Sequence, residues 1–93
     1  MNIDELDIKV LKENYDIDEI KNIDINNVSK INKYLEENGV YYSKDLFLSN
    51  LDLFLLPCDI FIKKFELLKQ KLGDNFVDKL GEYSSLIELM YED

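Results

Sequence analysis

The stretch Asp59-Ile60-Phe61-Ile62-Lys63-Lys64-Phe65-Glu66-Leu67-Leu68-Lys69-Gln70-Lys71-Leu72-Gly73 decides the fold class of this chain. Phe61, Phe65, Leu68 and Leu72 recur at intervals of 4, 3 and 4, which aligns them along one stripe of a helix turning every ~3.6 residues. Lys63, Lys64, Lys69 and Lys71 take mostly outward positions. Asp59 stands where an N-cap belongs, and Gly73 stands where a helix closes in the left-handed conformation.

Working outward, the same punctuation recurs. Pro57 ends a short turn that Asp52 starts and that carries Phe54 and Leu55. Before it, Ser43 is expected to cap a short helix through Leu46 and Phe47. A longer helix, capped by Asp24 or Asn26, turns Val28, Ile31, Tyr34 and Leu35 inward and stops at Asn38-Gly39. Asp16 with Glu19 forms a capping box for a short helix bearing Ile17 and Ile20, and Asn2 with Glu5 forms one for a first helix burying Ile3, Leu6, Val10 and Leu11. Downstream, Asp74 opens a short helix with Phe76, Val77 and Leu80 that closes at Gly81. Ser85 with Glu88 caps a last helix with Leu86, Leu89 and Met90. Only Leu51-Asp52-Leu53 alternates like a strand. The reading is therefore all-α: a short solenoid-like helical repeat or a compact bundle of about six short helices, in a single acidic domain over 1–93.

Sliding the chain over itself exposes a repeat. At a shift of 34, Ile31 lies over Phe65, Tyr34 over Leu68, Gly39 over Gly73 and Leu46 over Leu80. At a shift of 36, Asn14, Asp16, Ile17 and Ile20 lie over Asn50, Asp52, Leu53 and Leu56. The implied units are 4–40, 41–74 and 75–93, although amphipathic helices of any origin produce some overlap of this kind.

Leu46-Phe47-Leu48-Ser49-Asn50-Leu51-Asp52-Leu53-Phe54-Leu55-Leu56-Pro57, followed by the Ile-, Phe- and Leu-bearing helix ending Lys71-Leu72-Gly73, resembles one unit of the mitochondrial transcription termination factor (mTERF) family. The likeness covers 41–93 well and 4–40 loosely, on leucines at helical spacing. It implies helix pairs joined by a short 3₁₀ turn and stacked into a curved solenoid. It also implies nucleic-acid binding through basic residues, for which this chain offers only the group Lys63, Lys64, Lys69 and Lys71 and no Arg.

The charge argues the other way. Twenty Asp and Glu stand against eleven Lys, a net −9. Residues 1–24 carry −5, residues 25–72 carry +1 and residues 73–93 carry −5. Acidic ends around a balanced middle disfavour nucleic acid and anionic membrane and favour basic protein surfaces, although acidity also serves solubility alone. The absence of His removes the usual general base and most nucleophile and zinc arrangements. Cys58 is alone, so it forms no internal disulfide and no Cys-rich metal site; a small core residue is its expected role. Asp16, Asp18 and Glu19 do not make a calcium loop, because Lys21 stands where the loop needs Gly. The three Gly build no phosphate cradle.

The expectation is a cytoplasmic, non-enzymatic module without cofactor or metal, and with no secretory signal or membrane span. Its partner would be a basic protein surface, bound in the manner of an inhibitor, with a nucleic-acid mimic of anti-CRISPR type as the sharper version. The alternative is a small mTERF-like nucleic-acid binder. Candidate partner-binding residues are Asp16, Asp18, Glu19, Tyr42, Asp78, Glu82, Tyr83, Glu88 and Tyr91; Tyr buries area at little entropic cost and keeps a polar tip. Tyr34 is assigned to the core.

Overall fold

The computed structural model describes residues 3–91. Its described residues form α1 (Glu5–Asn14), α2 (Ile17–Lys21), α3 (Ile25–Glu37), α4 (Ser43–Ser49), α5 (Leu51–Phe54), α6 (Cys58–Leu72), α7 (Phe76–Glu82) and a 3₁₀ helix (Ser84–Tyr91), with no strand among them. The fold is an all-α small bundle measuring 36 × 25 × 23 Å. No described helix is long and apolar enough to cross a membrane.

α6 organises the core as its stripe predicts, with Phe61, Phe65, Leu68 and Leu72 buried. Around it the five phenylalanines form one continuous contact chain: Phe47 to Phe54, Phe54 to Phe61, Phe61 to Phe65 and Phe65 to Phe76, at centroid separations of 5.4, 5.4, 5.9 and 6.1 Å. Large rings at these distances fill space that aliphatic side chains in so small a core would leave open. α3 packs on α6 through Val28, Ile31 and Leu35, and α1 packs on α4. Tyr34 is half-buried, with its ring edge-on to Phe65 and its hydroxyl donating to the Glu66 carboxylate.

Polar clasps span the same junctions. Lys44 of α4 meets Asp7 of α1 at 2.8 Å. The Leu51 N–H donates to the Tyr15 hydroxyl at 3.2 Å. Asn27 of α3 accepts from the Cys58 N–H at 2.9 Å and donates to the Leu56 carbonyl at 2.7 Å. Gly39 and Gly73, with φ of 84° and 85°, close α3 and α6 in the left-handed region.

Several expectations are corrected. The cap of α1 is Asp4, in a capping box with Asp7, and the expected Asn2 cap lies outside the described residues. α1 is rotated from its expected orientation: Leu11 and Asp7 are buried, whereas Leu6 is 73% exposed and Val10 37%. Asp7 turns inward because both the Asp4 N–H and Lys44 need its carboxylate. Asp16 precedes α2 without making a side-chain cap, and Ile17 is exposed. Ser43 does not cap α4; it is buried and donates to Asn32. Asp59 is inside α6, whose first N–H is taken by Asn27 instead. Asn75 rather than Asp74 precedes α7, and Gly81 lies inside that helix. The last segment is 3₁₀: Met90 is buried as expected, Ile87, three positions before it, is buried with it, and Leu86 and Leu89 are only half-buried.

Candidate functional site

A groove of about 480 Å³ runs between α4, α7 and the 3₁₀ helix. Its α4 wall is Asp45, Leu46, Ser49 and Asn50; the facing wall is Leu80 and Gly81 with Ser84, Ser85, Ile87 and Glu88. Asp45 and Ser49 share this wall because they are four apart on α4, one helical turn. Ile87 and Leu80 are buried beneath it, which leaves the polar side chains to face solvent. Asp45 and Glu88 are exposed and form no ion pair with a described residue.

Tyr42 forms one end of the groove. It is half-buried, and its hydroxyl donates to the Val77 carbonyl at 2.6 Å, tying the start of α4 to α7. Burial pushes that hydroxyl up to about 12, which keeps it a donor well into the alkaline range. Its ring lies against Gly81, where an added Cβ would come within 3.0 Å of the Tyr42 Cε1. The missing side chain at Gly81 is therefore what admits the ring, and Tyr42 serves as a structural post of the groove more than as a free surface residue.

Of the residues singled out in the sequence, the groove gathers Tyr42 and Glu88. Asp78 and Glu82 are exposed on α7, and Tyr83 follows them, 61% exposed. Tyr91 is 48% exposed, and its hydroxyl is committed to the Asp52 carboxylate at 2.7 Å. Burial, with that bond behind it, pushes Tyr91 well above the usual phenol range. Asp16, which precedes α2, and Asp18 and the half-buried Glu19 within it lie outside the groove lining. Sequence reasoning missed Asp45, Ser49, Asn50, Ser84 and Ser85. Ser49-Asn50 and Ser84-Ser85 are turn-forming pairs, and nothing in their local sequence shows that the two turns meet.

The lysine group of α6 is divided. Lys69 donates to the Asn38 Oδ1 at 2.7 Å, meets Glu66 at 3.0 Å and stands 5.3 Å above the Phe76 ring centroid. Lys63, Lys64 and Lys71 border an apolar recess with Ile60, Leu67 and Leu89. Cys58 is half-buried at the start of α6, and burial raises its thiol above the usual range. Among the described residues no group of three or more His, Cys, Asp or Glu side chains is placed to hold a metal ion.

Fold and groove together define a small acidic helical bundle with a polar, carboxylate-bearing cleft. Comparison of the chain with protein-family models, with curated proteins and with solved structures finds no significant match.

Proposed function

We propose that this protein is a non-enzymatic binding module that takes a basic protein segment into the groove between α4, α7 and the 3₁₀ helix. The observation that carries the reading is the pairing of Asp45 and Glu88 across a hydroxyl-lined cleft with no described cation to neutralise them. A guanidinium or ammonium group entering there meets carboxylates for its charge and Ser49, Asn50, Ser84 and Ser85 for its remaining N–H donors. Asp78 and Glu82 on α7 extend the negative field, and residues 73–93 carry a net −5, which steers a basic partner inward. An inhibitor that occupies the nucleic-acid surface of its target is the sharper form of this reading, and it rests on charge.

The test is capture from host lysate with wild type and with the Asp45→Lys/Glu88→Lys double variant as baits, with and without nuclease. A partner retained by wild type after nuclease, lost by the variant and released as salt rises supports the reading. Equal retention by both baits, or affinity indifferent to salt, overturns it. Competition between nucleic acid and the protein for that partner supports the mimic form; simultaneous binding removes it. For direct nucleic-acid binding through the α6 lysines, the expected gel-shift result at low salt is no shift.

A further inference from the structure

We infer that the recess between α6 and the 3₁₀ helix docks the acidic, apolar α2 corner of a second copy of this chain, so that copies associate head to tail. The recess, about 540 Å³, is floored by Ile60, Leu67, Leu68, Leu89 and Met90. Ile60 and Leu67 are seven apart on α6, on a stripe separate from the buried Phe61–Leu72 stripe, and they are 38% and 49% exposed. Lys63 and Lys64 lie between them on the same face, and neither forms an ion pair with a described residue. An apolar floor with a basic rim selects an apolar group flanked by acids.

The chain presents that complement on itself. Ile17 is 52% exposed and stands between Asp16 and Asp18, which are also exposed. It projects from an N-terminal segment, residues 1–24, that carries a net −5, whereas the α6 wall of the recess belongs to residues 25–72, the one stretch of the chain that is not acidic. Docking Ile17 against Leu67 places Asp16 and Asp18 among the lysines and removes two exposed apolar side chains from water at once. The two surfaces are different patches of the molecule, so a single such contact leaves one recess and one corner of the pair unused and open to a further copy. The groove between α4, α7 and the 3₁₀ helix is not used, so this association is independent of the proposed partner binding.

Sedimentation equilibrium of the purified chain alone at ~0.15 M salt tests it, with Leu67→Glu and Ile17→Lys as variants. Both positions are exposed, and circular dichroism checks that both variants keep the wild-type helix content. Wild type is expected to exceed 11.0 kDa increasingly with concentration, each variant alone to remain at the monomer mass, and a mixture of the two to form a one-to-one dimer and nothing larger. The mixture stops there because the Ile17→Lys chain keeps an intact recess and the Leu67→Glu chain keeps an intact corner. A wild type that stays monomeric at every concentration overturns the inference. So does self-association that survives in either variant, or a mixture that stays monomeric.

Discussion

Asn27 joins three segments with one amide. From α3 its oxygen takes the Cys58 N–H and its nitrogen gives to the Leu56 carbonyl, so it caps α6 from outside and holds the turn around Pro57 in place. A carboxylate could accept from Cys58 but could not donate to Leu56, which is why the residue is an amide. Asn27→Ala leaves both backbone groups without their partner in a half-buried position. The expected cost is about 1–3 kcal/mol, measured as a shift in the urea midpoint at unchanged slope. A loss below about 0.5 kcal/mol would mean that water replaces the amide at no penalty. No role for Asn27 is legible in the sequence, because a side chain acting on a segment 31 positions away leaves no local trace.

At the scale of the element, α6 was readable and α1 was not, for one physical reason. Each helix carries two apolar stripes, and periodicity reports stripes without saying which faces inward. In α6 the inner stripe is marked by aromatic bulk, so Phe61→Ala should cost about 3–5 kcal/mol and Leu67→Ala, half exposed on the other stripe, about 0.5 kcal/mol or less. Chemical denaturation of the pair checks this, and comparable losses would mean that the two stripes are equally buried. In α1 the choice between Leu6/Val10 and Ile8/Leu11 is made by Asp7, whose carboxylate reaches Lys44 on α4. That clasp also gives the acid response a sign. The Lys44 ammonium, together with the Asp4 N–H, holds Asp7 below the ordinary carboxylate range, and the Tyr34 hydroxyl with Lys69 does the same for Glu66. Folded values below unfolded ones mean stability that is complete above pH ~5 and is lost as pH falls through the depressed values. Melting temperature should therefore change little from these groups between pH 7 and 5 and drop below pH ~4, with a shallower drop in Asp7→Asn. Parallel profiles for wild type and Asp7→Asn would remove Asp7 as a cause.

The groove belongs to the whole molecule, which is why so little of it could be read locally. Asp45 and Glu88 are 43 positions apart and meet only after α4, α7 and the 3₁₀ helix have packed. Charge, by contrast, was readable, and it makes a prediction that separates folding from binding. At low salt the Debye length of ~30 Å is comparable to the molecule's 36 × 25 × 23 Å extents, so its twenty carboxylates repel one another across the bundle. Raising salt to ~0.5 M cuts that range severalfold and also weakens the Lys44–Asp7 and Lys69–Glu66 pairs. Partly exposed pairs of this kind contribute little to stability, less than the relief expected from screening a net −9. The melting temperature of the free protein should accordingly rise by several degrees, as about 1 kcal/mol gives in a chain of this size. Over the same range a basic partner held by Asp45 and Glu88 should dissociate. Salt would then move stability up and affinity down in one sample, so release of the partner could not be ascribed to unfolding. A melting temperature that falls with salt would mean that the two pairs outweigh the net repulsion, and the acid excess would no longer count as a cost to the fold that partner binding relieves.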